Sequence, residues 1–284
     1  AFDVRVSLRH PEPGHEMIRR FDPNRGVLEL SEMLPADSRS FQVAHQIGLL
    51  ASGRVIDRLV DASDLGGDEA RTLGRIAMAN YFAAAFLMPY DDFLRRAKAA
   101  RYDIEMLEHH YGVSFEQVCH RLTTLQRPRR RGVPFHMLRT DIAGNVSKRF
   151  SLSGIHIPRH GGACPRWNVY TAFMQPDRIN VQISQMPDGG SYFCIARTVH
   201  KRGGGYGVPQ SYMSIGLGCE IGHARELVYA DGIDLDNPDI AVPIGGSCRT
   251  CPRLDCRQRA LPPATHRLNL DENLRGPSAY VSAG

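Results

Sequence analysis

Two kinds of segment are missing from this sequence of 284 residues, and each absence narrows the function. No uninterrupted apolar run approaches the roughly 18 residues that a membrane-spanning helix needs. No positively charged start is followed by an apolar stretch, so no secretory signal peptide is visible either. We therefore expect a cytoplasmic protein without a membrane partner.

The residues of a catalytic site are also missing. Residues 40–50, SFQVAHQIGLL, are typical of a helix, on which a zinc peptidase of the H-E-x-x-H type carries two histidines one turn apart. Gln46 replaces the glutamate of that motif and Leu49 replaces its second histidine, so His45 alone does not hold a catalytic metal. We expect His45 to be a hydrogen-bonded core or surface residue. Since no nucleophile elbow or carboxylate pair stands out, we expect a protein that is not an enzyme.

The sequence has little excess charge, which weakens the case for a nucleic-acid surface within it. The net charge is +5, with 42% hydrophobic and 23% charged residues, as in an ordinary folded protein of two or three domains. The clearest basic run is RPRRR at 127–131. Its proline and the glycine that follows favour a solvated linker between domains.

The first half of the sequence has helical periodicity. One helix is predicted from the SFQVAHQ segment to about Val60, and a second from about Glu69 to Met88, where Pro89 ends it. Ser114 and Gln117 have the spacing of a capping box before a further helix.

The second half alternates instead, which predicts antiparallel strands. PFHMLRTD and VSKRF flank the turn residues AGN, and RINVQISQMP and SYFCIARTVH flank DGG, so two hairpins are expected. The fold class is therefore α+β, with a helical module followed by an antiparallel-sheet domain. In SYFCIARTVH, Arg197 shares one face with apolar residues and needs an anionic partner, either a neighbouring carboxylate or a bound ligand.

Cysteines provide the sharpest chemical signal. Cys248, Cys251 and Cys256 form C-x2-C-x4-C, and Cys219, at the start of a predicted helix, is the expected fourth ligand. A cytosolic chain keeps such thiols reduced, so a metal centre is favoured over disulfides. Spacing alone leaves zinc and an iron-sulfur cluster open. The isolated cysteines are Cys119, Cys164 and Cys194.

Two helices of the first half resemble the paired helices of the ImmA/IrrE metallopeptidase-like domain. The resemblance is carried by FQVAHQIGLLA, ANYFAAAFLMP and the adjacent RLTTLQR. Active members have a glutamate shortly before A-N-x-F-A, whereas residues 75–78 here are Arg, Ile, Ala and Met. The resemblance therefore implies a degenerate, zincin-like scaffold that has lost its metal site.

The second half resembles the C-terminal region of short-chain fatty acyl-CoA regulators. The segments that carry the resemblance are GNVSKRFS, GGACPRWN, QMPDGG, LGCEIGHARELVYADG and SCRTCPRLDCRQRA. It implies a transcription factor of propionate or fatty-acid metabolism, with an Xre-type helix-turn-helix upstream of this chain that binds promoter DNA, and a homodimer or higher oligomer. It further implies a short-chain acyl-CoA effector and a 4Fe-4S cluster on the four cysteines, with zinc as the alternative.

Three domains follow from these observations. We expect a degenerate ImmA/IrrE-like domain at 1–127, an acyl-CoA-sensing sheet domain at 133–218, for which a GAF-like form is one option, and a cysteine-rich iron-sulfur tail at 219–284. The GGGYG segment at 203–207 lacks the lysine of a phosphate-binding loop, and we interpret it as a flexible loop or lid.

A coenzyme A site needs cations for the phosphates, an aromatic surface and an apolar slot. The candidate ligand-binding residues are Lys148, Arg149, Arg166, Trp167, Phe193, Ile195 and Arg197. Each also has an ordinary structural explanation, as an exposed cation or a core side chain. The alternative function is a redox-responsive iron-sulfur regulator, or one with a structural zinc, that does not sense acyl-CoA.

Overall fold

The chain folds into two compact units in a computed structural model. The structure describes residues 2–10, 17–158, 162–201 and 210–264, together with 267, 268, 272, 273, 278 and 280. The first unit contains residues up to Ala99 and Ile104–Arg121, and the second contains Ala100–Asp103, Leu122–Lys201 and the chain from Ser211 onward. The predicted loop at 203–207 lies outside the described residues. In this described part, no helix is both long and apolar enough to cross a membrane.

The first unit combines a small sheet with helices. Its strands are β1 (Arg5–Arg9), β2 (Arg19–Asp22) and β3 (Val27–Ser31), in the order β1-β3-β2, with β1 parallel and β2 antiparallel to the central β3. Its helices are α1 (Ala36–Asp61), α2 (Gly67–Leu87), α3 (Tyr90–Ala99), α4 (Ile104–Tyr111) and α5 (Phe115–Thr123), the last of which ends just beyond the unit. The two long predicted helices are thus confirmed, α2 within two residues at both ends and α1 within one residue at its C-terminal end, whereas α1 begins at Ala36, four residues before the predicted start.

The capping box predicted before α5 is also present. The backbone N–H of Gln117 donates to Ser114 Oγ at 3.4 Å, while the N–H of Ser114 donates to Gln117 Oε1 at 3.0 Å. These two bonds satisfy amides that a helix start leaves without partners, so α5 begins where the local sequence predicts.

The α1–α2 pair packs closely because small residues face large ones. Ile56 and Val60 of α1 pack with the fully buried Ala79 of α2. Nearer the start of α1, a Cβ on Gly48 would lie 2.7 Å from the ring of Phe82, so only glycine lets the helices approach this closely here.

The second unit is built on a six-stranded sheet of order β11-β8-β9-β10-β6-β7. The strands are β6 (His136–Asp141), β7 (Val146–Ser151), β8 (Asn180–Gln185), β9 (Ser191–Lys201), β10 (Ser211–Glu220) and β11 (Val242–Pro243). The hairpins β6–β7 and β8–β9 are antiparallel, as predicted, and only β11 pairs in parallel, with β8. A short helix, α6 (Asn168–Thr171), contacts β8, β9 and β10.

The basic run at 127–131 is exposed, as expected of a solvated segment, and forms a hairpin of β4 (Gln126–Arg127) and β5 (Arg130–Arg131), with Arg129 in the left-handed region. One local prediction was wrong. Cys219 does not start a helix but lies near the end of β10, opposite Phe193, and a 3-10 helix at Ile221–Glu226 follows. Cys219 belongs to the strand because Leu217 and Cys219 both lie on one buried face of the sheet, beside Ile195 and Phe193.

We predict that Gly48→Ala destabilises the first unit by about 1–3 kcal/mol, because its methyl group overlaps the Phe82 ring. The matched control is Gly53→Ala on the same helix, where a Cβ meets no atom within 4 Å; there alanine should stabilise by roughly 0.5–1 kcal/mol. Denaturant titration followed by helical circular dichroism measures both. Equal midpoints for the two variants would contradict the packing described.

Candidate functional site

A small cavity lies in the second unit, on the face of the sheet that α6 covers. Its volume is about 20 Å³, enough for a water molecule or a very small group. The lining is apolar on most sides and has a few polar groups. The residues are His136, Leu138, Ile155, Ile157, Trp167, Asn168, Val169, Gln182, Ser184, Cys194, Ile195, Gly216, Leu217 and Ile244.

The polar centre of this cavity is a histidine beside a cysteine. His136 and Cys194 occupy one row across the sheet, with Gly218 of β10 between them. His136 Nε2 lies 3.7 Å from Cys194 Sγ, and its Nδ1 lies 2.7 Å from Ser153 Oγ. A Cβ on Gly218 would lie 2.5 Å from His136 Nε2, so glycine is what leaves room for the ring.

Burial keeps both groups neutral. Loss of solvation lowers the pKa of His136 to about 3 and raises the pKa of Cys194 to about 12. The pair at rest is therefore a thiol and a neutral imidazole, inside a pocket of low polarity.

Trp167 connects the cavity to a second pocket, which is lined by cysteines. Its indole Nε1–H donates to the carbonyl of Gly245 at 3.0 Å, and its ring packs in the buried core. Ile244, the residue before that carbonyl, lines the cavity on one side and the cysteine-lined pocket on the other.

Four cysteines line this second pocket. Cys248, Cys251 and Cys256 come from the irregular segment after β11, and the fourth is Cys164, from the loop before α6. The backbone N–H of Cys164 donates to Gly246 O at 3.0 Å, which ties the two segments together. Desolvation raises the pKa of the Cys164 thiol, and the charges of Cys248 and Cys251 act in the same direction.

Two arginines hold the cysteine segment by its backbone. Arg259 is 5% exposed and donates to Cys248 O at 2.6 Å, to Cys251 O at 3.0 Å and to Arg253 O. Arg253 in turn donates to Ile244 O and Gln185 O, both at 3.1 Å. The buried Nε of Arg259 has no hydrogen-bond partner among the described residues. A donor in that position suits an anionic group in the pocket.

The cysteines of this pocket are suitable ligands for an iron-sulfur or zinc centre, but the pocket as it stands is too small to hold one. Four thiols are the ligands that both centres accept. The pocket volume is only about 10 Å³, and no three His, Cys, Asp or Glu side chains among the described residues surround a single metal position. A cluster would therefore require the cysteine segment to move outward.

Cys219 is not among the residues that line this pocket. It is fully buried in the sheet, where desolvation and the nearby Cys194, Glu226 and Glu220 raise the pKa of its thiol. Cys248, Cys251 and Cys256 thus line one pocket together with Cys164, while Cys219 lies in the sheet; which cysteines hold a metal stays a prediction.

The seven predicted ligand-binding residues are divided between the two faces of the sheet. Arg197, Ile215, Arg139 and Lys148 form one row across β9, β10, β6 and β7, and directly paired residues share a face. Phe193 and Ile195 alternate with Cys194, so they belong to that face as well, although Ile195 also borders the cavity. Arg149 pairs with Leu138 on the cavity face, and Arg166 precedes Trp167.

His45, the one histidine that remains of the peptidase motif, makes a hydrogen bond within the first unit. His45 is 2% exposed, and its Nδ1 lies 2.8 Å from Asn80 Oδ1 on the neighbouring helix. Burial is the main cause that lowers the pKa of His45, and the charge of Arg19 adds to it. The prediction of a hydrogen-bonded core histidine is confirmed.

The two halves of the chain match known families separately. A sequence profile of the IrrE N-terminal-like domain matches residues 1–123. A profile described as "Short-chain fatty acyl coenzyme A regulator, C-terminal" matches residues 124–280, which is more than half of the chain. The chain belongs to this family of regulators. Both predicted resemblances are confirmed, whereas the GAF-like form, the cluster tail and the boundaries at 127, 133 and 219 stay predictions.

Similar proteins are transcriptional regulators. "HTH-type transcriptional regulator PrpR" of Mycobacterium tuberculosis is 48% identical over 264 residues, which is 93% of this chain and 54% of that protein. "Propionyl-CoA carboxylase regulator" of Cereibacter sphaeroides is 46% identical over 254 residues, 89% of this chain and 55% of that protein. The chain spans about half the length of these curated relatives. A solved Mycobacterium tuberculosis transcriptional regulator superposes with a TM-score of 0.93 at 46% identity, covering 99% of this chain and 85% of that one.

We predict that His136 makes the second unit acid-sensitive. Its pKa is about 3 when folded and near 6.5 when unfolded, so the unfolded chain binds an extra proton between these values. The stability that His136 contributes is complete above pH 6.5 and is lost as the pH falls toward 3, with a slope of at most about 1.4 kcal/mol per pH unit. Denaturant titrations across this range should give a flatter profile for His136→Gln, while replacement of the exposed His109 by Gln should leave the slope unchanged. An unchanged slope in His136→Gln would contradict the assignment.

Proposed function

We propose that this chain is the ligand-sensing region of a bacterial transcriptional regulator that binds short-chain acyl-CoA and holds a 4Fe-4S cluster. The observation that carries the proposal is the shared wall at Ile244 and Gly245, between an apolar cavity and a pocket of four cysteines. Both lie in the part of the chain that matches the acyl-CoA regulators. The genes controlled would be those of propionate and fatty-acid metabolism, in keeping with a relative named as a regulator of propionyl-CoA carboxylase.

The acyl end of the ligand enters the cavity in this proposal. Isoleucines at 155, 157 and 244 give it apolar walls. The small volume favours the shortest acyl groups, and it requires side chains to move apart on binding.

The charged part of the ligand then needs cations on the same side of the sheet. Arg149 is exposed opposite Leu138, a cavity-lining residue, and Arg166 is next to the lining residue Trp167. Lys148 and Arg197 belong to the opposite face, so one molecule that enters this cavity does not reach all four cations.

We predict that Arg149→Ala combined with Arg166→Ala weakens propionyl-CoA binding at least tenfold, because charge-assisted contacts to phosphate contribute about 1.5–3 kcal/mol each. The matched control is Lys148→Ala combined with Arg197→Ala, which removes the same net charge from the other face. Titration calorimetry on both variants decides between the faces. A loss confined to the control pair would place the ligand on the row that contains Arg197.

For the cluster, we propose Cys164, Cys248, Cys251 and Cys256 as ligands, with Cys164 in the place that the sequence suggested for Cys219. A bound 4Fe-4S cluster would supply a redox-active, oxygen-sensitive centre that also cross-links the segments. The chain's own contribution is to hold the thiols. Arg259 restrains the carbonyls of Cys248 and Cys251. The positive charges of Arg253 and Arg259 offset the negative charges of the thiolates.

We predict that Cys164→Ser abolishes iron and sulfide incorporation, whereas Cys219→Ser retains both. Iron, acid-labile sulfide and visible absorption, measured on anaerobically purified protein, provide the test. Loss of iron in Cys219→Ser with full retention in Cys164→Ser would restore the original ligand set. Stoichiometric zinc without sulfide would identify the centre as a structural zinc site.

Regulation in this proposal is a population shift. Acyl-CoA binds one arrangement of the sheet unit better, and that preference reaches a DNA-binding helix-turn-helix outside this chain. The relative named as an HTH-type regulator, and the half of its length that this chain does not span, support that arrangement. The runner-up is a redox-responsive iron-sulfur regulator without acyl-CoA sensing, favoured by the small cavity volume. Cluster-bearing protein that fails to bind propionyl-CoA would select the runner-up.

A further inference from the structure

The cavity contains a thiol that is arranged to react, and noncovalent sensing makes no use of it. Cys194 lines the cavity with its Sγ 3.7 Å from His136 Nε2, and Ser153 lies 2.7 Å from the other ring nitrogen. All three side chains are at least nine-tenths buried. A nucleophile, a base and a group that orients the base are the parts from which covalent acyl transfer is built.

We infer that Cys194 accepts the acyl group of a bound short-chain acyl-CoA and becomes reversibly S-acylated, with His136 as the base. The inference rests on the proposed function, since it needs acyl-CoA in this cavity. The thiol sulfur attacks the thioester carbonyl, a bond forms between that carbon and Cys194 Sγ, and the bond to the coenzyme A sulfur breaks. The thiol proton passes to His136 Nε2 and then to the departing sulfur, so free coenzyme A leaves and no oxidant or reductant is required.

The hydrogen bond of His136 to Ser153 fits this role. When the ring carries its proton on Nδ1 and donates it to Ser153 Oγ, Nε2 has a lone pair directed at the thiol. Burial opposes proton transfer in the resting pair, because it raises the pKa of Cys194 to about 12 and lowers the pKa of His136 to about 3. Proton removal therefore takes place during attack, by general-base catalysis, and the resting thiol is protected from other electrophiles.

The surroundings also determine what happens to the product. Apolar residues such as Ile155, Ile157 and Val169 limit water around the acylated sulfur, which slows hydrolysis. Since one thioester is exchanged for another, the free energies of the two sides are similar. The acylated fraction then follows the ratio of acyl-CoA to free coenzyme A, rather than the acyl-CoA concentration alone.

The test is intact-protein mass spectrometry of the chain incubated anaerobically with propionyl-CoA. The expected result is one added propionyl group that peptide mapping locates at Cys194 and that neutral hydroxylamine or excess coenzyme A removes. Cys194→Ala should lose the adduct and still bind propionyl-CoA in calorimetry, while Cys119→Ala, which removes another buried cysteine, should keep the adduct. His136→Gln should slow acylation roughly hundredfold or more without a matching loss of affinity.

Each alternative result has a distinct meaning. Tight binding of propionyl-CoA without an adduct overturns the acylation of Cys194 and leaves the proposed function standing. An adduct that maps to another cysteine, or that persists in Cys194→Ala, also overturns it. Absence of both binding and adduct, in protein that is folded by circular dichroism, removes the proposed function together with the inference.

Discussion

Two hydrogen bonds hold the cysteine pocket of the second unit together, from the indole of Trp167 to the carbonyl of Gly245 and from the backbone N–H of Cys164 to the carbonyl of Gly246. They fix the loop before α6 against the segment after β11, and those two segments supply the four cysteines of the pocket. A Cβ on Gly245 would lie 2.7 Å from Cys251 Sγ, so the same backbone that accepts from Trp167 is in contact with the cysteine segment. Ile244 extends the contact to the cavity. The cavity and the cysteine pocket therefore share a wall at Ile244.

The first unit matches a peptidase-like domain, but two of the three residues of the H-E-x-x-H motif are replaced. His45 remains on α1, but its Nδ1 is engaged by Asn80 and its neighbours Gln46 and Leu49 offer no further metal-ligand set. Close packing of α1 on α2, which Gly48 permits, preserves the helix pair as a scaffold. The IrrE-like match over residues 1–123 therefore covers a helix pair in which His45 hydrogen-bonds Asn80.

Local patterns predicted the elements of this fold well, and long-range pairing explains most of what they missed. The helix ends near Val60 and Pro89, the capping box at Ser114 and both hairpins depend on neighbouring residues, which a sequence displays directly. The clustering of Cys248 and Cys251 is likewise a matter of spacing. Cys164 was not predicted because its position beside them depends on the loop before α6 and on the backbone near Gly246.

The division of the predicted cations is also a consequence of strand register. Arg197 and Arg149 look equivalent in the sequence, yet pairing places one opposite Ile215 and the other opposite Leu138, on different faces. His136 and Cys194 are 58 positions apart and meet only through Gly218, so no local motif indicates them. Isolated cysteines in alternating strands were the available signal, and alternation alone does not identify their partners.

The shared wall is tested most directly by the affinity for propionyl-CoA before and after the metal centre is removed. Calorimetry would compare anaerobically purified, iron-loaded protein with protein freed of iron by a chelator and still folded by circular dichroism. The account predicts weaker binding, by roughly fivefold or more, in the iron-free sample, because the segment at Ile244 and Gly245 is then less restrained. Equal affinity in the two samples would contradict it.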